Sequence, residues 1–275
     1  MIPFGIIGHT GRLGEPLYSL LTTNHPEAKI VYTQSRGMGE NGNFDDAKFM
    51  FLALPKGESK NYMEKCKGKR VIDLSEDYRG APGWVYGLPE LNMDEIRTAQ
   101  RVANPGCYAT SIIMALAPIA TAISNVCISS TSGISGAGLK VESVDNFRVY
   151  KEGKIHQHIP EIERALGLQG ILFVPQCIHT ADRGIVSTIF SDYNGPKNLN
   201  EIFSEFYQDK PFIRIKEGIE TKNVNRTNYC DIKPMLQDGK ILIISALDNT
   251  IKGGSGQAVQ NFNIMNGFPE TLGLI

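Results

Sequence analysis

The chain has one tryptophan, no excess charge of either sign and few cysteines, and each scarcity narrows what it can be. Lys and Arg number 28 against 29 Asp and Glu, a formal net charge of -1. A nucleic-acid backbone as main partner requires a basic surface, so that class is excluded, while a local basic pocket for a small anion stays open. The longest apolar run, residues 112–123, contains Pro118 and is too short to span a bilayer. The opening residues are apolar but carry no basic stretch and no cleavage-like site, so a cytoplasmic protein is expected. Five cysteines, Cys66, Cys107, Cys127, Cys177 and Cys230, form no Cys-x-x-Cys pair. An odd, scattered set excludes a disulfide framework and a zinc ribbon and leaves room for a single reactive thiol. What remains is ordinary for a soluble globular protein: 275 residues, 41% hydrophobic and 21% charged. That length points to two domains with a core that needs no covalent staples.

The first third alternates short apolar runs with helical stretches. Strands are expected at residues 4–8, 29–34, 49–54 and 69–74, with a helix at 15–21, the mark of a parallel sheet built from βαβ units. A helix at 94–100, a short strand at 101–104 and a buried helix at 108–123 follow. Then the rhythm changes. Strands at 126–131, 143–150, 171–177, 185–192 and 240–247 are interrupted by helices at 159–166 and 199–208, which is α+β patterning. The stretch 256–267 is helical again. Two domains are therefore expected: residues 1–107 with 250–275, and residues 108–249. No internal repeat or low-complexity linker is present.

Between the first strand and first helix lies Gly8-His-Thr-Gly11-Arg-Leu-Gly14. Glycine there permits the turn and the approach of a pyrophosphate, which free amides then hold. The spacing relaxes the stricter dinucleotide fingerprint, and a merely tight turn is the competing reading. Gly8, Thr10, Gly11, Arg12, Leu13 and Gly14 are thus candidate cofactor residues in a Rossmann-type α/β domain, joined to a second α+β domain of mixed sheet. An NAD site usually ends its second strand in an acid; this chain has Gln34-Ser35-Arg36. Ser35 and Arg36 suit a 2′-phosphate, so NADP is expected, with a solvated Arg36 as the alternative.

Asn104-Pro-Gly-Cys107-Tyr-Ala-Thr110 is the most informative stretch. A strand ends, Pro-Gly turns the chain and a cysteine opens a helix, where the dipole and free amides favour the thiolate. Cys107 is therefore the candidate nucleophile. The other four cysteines read as small buried hydrophobes. His156-Gln-His158 supplies two imidazoles that would share one side of an extended backbone. A metal site lacks further ligands at the usual spacings. Glu161 sits in the first turn of the next helix, and His9, His25 and His179 read as surface or loop residues.

With these stretches in view, the chain resembles the N-acetyl-γ-glutamyl-phosphate reductase family, near the aspartate-semialdehyde dehydrogenase group. The resemblance runs in order through Phe51-Leu-Ala-Leu-Pro55, Asp73-Leu-Ser-Glu-Asp-Tyr-Arg79, Tyr86-Gly-Leu-Pro-Glu-Leu-Asn92 and Ala103-Asn-Pro-Gly-Cys-Tyr108. It continues through Ser132-Gly-Ile-Ser-Gly-Ala-Gly138, His156-Gln-His-Ile-Pro-Glu-Ile162, Arg183-Gly184 and Asp248-Asn-Thr-Ile-Lys-Gly-Gly-Ser-Gly-Gln-Ala-Val-Gln-Asn261. It implies an NADP-dependent oxidoreductase of arginine biosynthesis with Cys107 as nucleophile. His158 is the first choice for acid-base residue and His156 the second. It implies cofactor contacts at Leu54, Pro55, Ser135, Gly136 and Asn249, an acyl-phosphate segment at residues 133–138, and substrate contacts at Asn104, Arg79, Glu161 and Arg183. A small acyl phosphate and inorganic phosphate would be the partners, with assembly into a homodimer or homotetramer through the second domain. Gln176, His179 and Thr180 depart from the family pattern. They keep open a relative that acts on a carrier-protein-bound aminoadipyl or glutamyl phosphate in lysine synthesis, although the net charge offers no basic docking face. An inactive dinucleotide-binding regulator is the reading from another class.

Overall fold

The computed structural model describes residues 1–136 and 146–275. It divides into two compact units, Met1–Pro105 with Gly254–Ile275, and Gly106–Gly253. Cys107 thus falls in the second unit.

The first unit contains β1 (Ile2–Ile7), α1 (Gly14–Ser19), β2 (Ala28–Ser35), β3 (Gly39–Gly42), β4 (Phe49–Leu52), β5 (Arg70–Asp73), β6 (Val85–Tyr86), α2 (Pro89–Thr98), β7 (Arg101–Ala103) and, from the C-terminal stretch, α6 (Gly256–Met265). Its sheet runs β3-β2-β1-β4-β5-β7-β6 and is parallel except for the β2–β3 hairpin. The inner strands are apolar without alternation because both faces are covered. Phe4, Ile6, Phe49 and Phe51 meet α1 and α6 on one side, and Ile7, Met50, Leu52 and Val71 meet Tyr32, Phe44 and Cys66 on the other.

Every residue of α6 is buried. Phe262 is its anchor, with ring centroids 4.8 Å from Phe49, 5.6 Å from Phe51 and 5.5 Å from His25. The polar residues of α6 are absorbed by hydrogen bonds. Asn261 Nδ2 donates to the Gly87 carbonyl and to Asn104 Oδ1, and Asn263 donates to the Glu270 and Leu272 carbonyls. Asn263 Oδ1 accepts from His25 Nε2 at 2.7 Å. His25 is therefore buried, contrary to the surface expectation: its Asn-His-Pro setting looks like a loop, but the partner that buries it lies 238 residues away.

The second unit contains α3 (Cys107–Leu116), β8 (Ile123–Gly133), β9 (Phe147–Val149), α4 (Ile159–Leu166), β10 (Leu172–Ile178), β11 (Ile185–Tyr193), α5 (Leu199–Phe206), β12 (Ile213–Ile215), β13 (Cys230–Gln237) and β14 (Lys240–Leu247). Its sheet runs β12-β13-β14-β11-β8-β10-β9 and is mixed, with β8–β10 and β12–β13 parallel. Helix α3 packs on β11 and β14, and α4 packs beside α3. On the opposite face Cys127, Leu172, Val174 and Phe190 are exposed. Cys127 is thus an exposed thiol and not a buried one; alternation along β8 turns it outward while Val126 and Ile128 turn in.

Four strands, β3, β6, β12 and β13, lie outside the sequence expectation. Pro234 sits inside β13, which argues against a strand there; it is tolerated because β12 pairs only with Cys230 to Ile232, so its neighbour on that side has ended. The expected helix 108–123 stops at Leu116 and continues to Ala122 as a tighter 3-10 turn around Pro118. Of the expected strand 143–150, only Phe147–Val149 is a strand among the described residues, and 143–145 lie outside them.

Because Phe262 joins both the aromatic cluster and the C-terminal helix, Phe262→Ala should cost about 3–5 kcal/mol. A fall of that size in the unfolding free energy from urea titration is the expected result, against less than 1 kcal/mol if the cluster can close over the gap.

Candidate active site

The first loop is shaped by its glycines. Gly8 has φ +90, and a Cβ there would lie 2.2 Å from the Ala53 carbonyl oxygen; a Cβ on Gly14 would lie 2.0 Å from the Gly8 oxygen. Leu54 lines the same turn, half-buried, while Thr10, Gly11, Arg12 and Pro55 are exposed and Leu13 is half-buried. The Leu13 carbonyl accepts from Ser255 Oγ at 2.7 Å, which ties the loop to the start of α6. The loop follows β1 and opens α1, with its neighbour β2 ending in Gln34 and Ser35. Ser35 Oγ is buried with no protein partner, and Arg36 stands exposed in an ion pair with Glu58 at 2.9 Å. With Gly8 and Gly14 closed to any side chain, this loop fits a dinucleotide phosphate.

Arg79 and Asn104 also lie in the first unit. Arg79 Nε donates to the Asn104 carbonyl at 2.8 Å and its Nη2 to the Leu74 carbonyl, so the guanidinium holds the chain just beyond β5 and β7. Asn104 is buried, donating to the Gly254 carbonyl and accepting from Asn261. Next to them is a group the sequence reading passed over. Asp73 is fully buried, accepting from Ser59 Oγ at 2.6 Å and Ser75 Oγ at 2.7 Å, and burial pushes its carboxyl above the usual range. Its signal was the Asp-Leu-Ser spacing, which puts a hydroxyl two residues after the carboxylate.

The second unit carries Cys107 and both histidines. Cys107 begins α3 because Gly106, in an extended conformation, caps it. Gly106 N donates to Glu161 Oε1 at 2.8 Å, and Glu161 is buried. Glu161 belongs to α4, whose N-cap is His158, so this bond ties the start of one helix to the first turn of the other. On another flank a Cβ at Gly253 would lie 2.7 Å from Cys107 Cβ, so only glycine fits there.

The two imidazoles are not on an extended backbone as expected. His158 is already helical (φ -84, ψ -13), and the rings meet edge to face at 4.7 Å because the chain turns into α4. His156 Nδ1 accepts from the His158 amide at 3.2 Å, which leaves the proton of its neutral form on Nε2. Tyr108, Tyr150 and Phe173 surround His156. The Tyr108 and Tyr150 hydroxyls lie 2.9 Å apart, and burial pushes Tyr150 up to about 12, with the nearby Cys107 contributing. Among the described residues no cluster of His, Cys, Asp or Glu could hold a metal ion.

Arg183 is half-buried, with Nη1 3.4 Å from Asp248 Oδ2 and 3.2 Å from Thr250 Oγ1, and Nε 3.4 Å from Asp182. Asp248 is fully buried and also receives the Arg226, Thr250 and Ile251 amides. Its backbone oxygen accepts from the Gly253 amide at 2.8 Å, which places the Arg183 ion pair in the neighbourhood of Cys107. Asn249 Oδ1 accepts from the Gly184 amide at 2.7 Å and its Nδ2 donates to Ser135 Oγ at 3.0 Å. Gly136 ends the short turn Ile134–Gly136, and the rest of the expected acyl-phosphate segment, residues 137 and 138, lies outside the described residues.

Two family models match this arrangement: the semialdehyde dehydrogenase dimerisation domain over residues 107–249 and the semialdehyde dehydrogenase NAD binding domain over residues 39–99. Curated relatives named N-acetyl-gamma-glutamyl-phosphate reductase align along the full chain. The protein of Geotalea daltonii is 37% identical over 100% of this chain and 98% of its own, and that of Archaeoglobus fulgidus 35% over 98% and 97%. The chain belongs to the N-acetyl-gamma-glutamyl-phosphate reductase family. Within that family it is short: the first alignment runs over 345 residues against 275 here. Solved structures similar in fold include aspartate semialdehyde dehydrogenase II from Vibrio cholerae (TM-score 0.77, 15% identity, 97% of this chain and 99% of that one). Another is aspartate semialdehyde dehydrogenase with NADP from Candida albicans (TM-score 0.74, 15%, 97% and 98%). The first unit is accordingly a Rossmann-like NAD-binding domain.

His156 gives this reductase-family site an acid-sensitive element. Burial first, then the charges of His158 and Lys151, lower its pKa from 6.5 to about 3. Between those values the unfolded chain binds a proton that the folded one refuses, so this contribution is complete above pH 6.5 and is lost as pH falls. The slope approaches about 1.4 kcal/mol per pH unit. His156→Asn should flatten the fall in unfolding free energy between pH 6 and pH 4 by about that slope. Parallel curves for the two proteins in urea titrations would contradict it.

Proposed function

We propose that this protein reduces N-acetyl-γ-glutamyl phosphate to N-acetylglutamate 5-semialdehyde with NADPH. The observation that carries the reading is full-length kinship with curated reductases, in a chain that sets Cys107 at a helix start beside a histidine-tyrosine cluster.

Cys107 acts as the nucleophile and His158 as the acid-base residue. His158 takes the thiol proton as sulfur attacks the acyl carbon; the carbon–phosphate oxygen bond breaks, phosphate leaves and a thioester forms. The first-turn amides of α3, which have no helical acceptor, favour the oxyanion at that carbon. The bound nicotinamide supplies the hydride. The tetrahedral oxyanion then expels sulfur, which recovers its proton from His158, and the aldehyde departs. His156 stays neutral and packs against His158, which leaves the proton transfer to His158. Arg183 holds substrate phosphate or carboxylate, since Asp248 and Asp182 each engage it only at 3.4 Å. In the first unit Gly8, Gly11 and Gly14 admit the pyrophosphate, and Arg36 turns from Glu58 to a 2′-phosphate; no carboxylate at the end of β2 competes for that place.

The test of this reading is phosphate-dependent reduction of NADP in the presence of N-acetylglutamate semialdehyde, read at the nicotinamide band with NAD and aspartate semialdehyde in parallel. Cys107→Ser should lower kcat by about 10³-fold or more while NADPH binding, followed by fluorescence, is kept. Wild-type turnover in that variant sinks the covalent route.

The open face of the second sheet is the surface for a second copy of the chain. Phe190, Cys127 and Leu172 stand directly opposite one another across β11, β8 and β10, an exposed apolar row on a sheet whose other face carries helices. Phe190→Asp should reduce the mass measured by light scattering toward that of the monomer, and an unchanged mass would place the interface elsewhere.

A further inference from the structure

Helix α3 is seated on a row of serine hydroxyls. Ser130 of β8, Ser187 of β11 and Ser245 of β14 stand directly opposite one another across three strands. All are fully buried, as is Ser111, one turn into the helix from Cys107. Ser111 Oγ donates to Ser187 Oγ at 3.0 Å and lies 2.7 Å from Ser245 Oγ. Ser130 Oγ donates to Ser187 Oγ at 2.8 Å, and Ser245 Oγ donates to the Ser111 carbonyl at 3.1 Å. On β11 and β14, the strands that α3 packs on, the neighbouring rows are apolar: Ile189 and Ile243 in one direction, Ile185 and Leu247 in the other, while β8 adds Ile128 to the first and the buried Ser132 to the second.

Apolar side chains would bury this interface with more cohesion but no direction. Hydroxyls hold only in one alignment. Sliding α3 by one turn, about 5.4 Å, would carry Ser111 off the serine row onto isoleucine or leucine and leave hydroxyls without partners on both sides. We propose that Ser111, Ser187 and Ser245 are positioning residues: they set the axial register of α3 and thereby place the Cys107 thiol. This rests on Cys107 being the nucleophile, because only then does its placement reach turnover.

Ser111→Ala is the variant to make, since alanine favours the helix and removes one oxygen. Its kcat should fall about tenfold, with KM values for both substrates within about twofold, since displacement of a reacting group penalises the chemical step. Alkylation by iodoacetamide, followed on the Cys107 peptide by mass spectrometry, should slow and need higher pH. Cys127, on the opposite face of the sheet, should show the wild-type alkylation rate whether that face is open or covered by a second copy. Ser245→Ala approaches the same contact from the sheet and should reproduce the effect. Ser130→Ala removes a hydroxyl that bonds the row and not the helix; it should lower Tm while keeping kcat. Wild-type kcat and Cys107 alkylation in folded Ser111→Ala overturn the proposal, as does an equal loss of kcat in Ser130→Ala. Full turnover by Cys107→Ser would instead defeat the nucleophile reading, and the alkylation profile would still report whether the serines place Cys107.

Discussion

The candidate site of the second unit is framed by one hydrogen bond, from the Gly106 amide to the buried carboxylate of Glu161. It is a charge-assisted contact out of water, of a kind that contributes about 1.5–3 kcal/mol. Its importance is geometric. Gly106 precedes the cysteine that opens α3, and Glu161 sits in the first turn of α4, whose cap is His158. With the bond made, two helix beginnings separated by about fifty residues of chain are held side by side, and the thiol and the imidazole come with them. The aromatic packing of Tyr108 against both histidines then has a fixed frame to fill.

Much of this was legible in the residue order. The alternation of the first third marked a parallel sheet, and Pro-Gly before a cysteine marked the start of α3. What the residues concealed had physical causes. β13 was hidden by Pro234, whose missing amide matters only where a neighbouring strand is present to ask for it. The meeting of the histidines was anticipated for the wrong reason. A period of two suggested an extended segment, whereas the turn into α4 brings the rings together. His25 was misjudged because its burial depends on Asn263 at the other end of the chain, and no local pattern carries that information.

Polar residues expected at the site also have partners within the fold. Arg79 and Asn104 look like substrate ligands in isolation. In the fold both also engage the scaffold: Arg79 donates to the Asn104 carbonyl, and Asn104 donates to the Gly254 carbonyl and accepts from the Asn261 side chain of α6. Arg183 is different, because its ion pairs are long and shared and its guanidinium stays partly open to solvent. A residue type and its place in a motif therefore indicate that a site is near, while the geometry of its neighbours decides whether it faces a ligand or the scaffold.

Gly253 carries a consequence for how such a site can change over evolutionary time. Even a methyl group there would press into Cys107, so the wall on that flank of the proposed nucleophile is closed to the commonest single-step substitutions. A lineage that drifts toward larger or smaller substrates has no usable variation at this position. It must remodel elsewhere around the site.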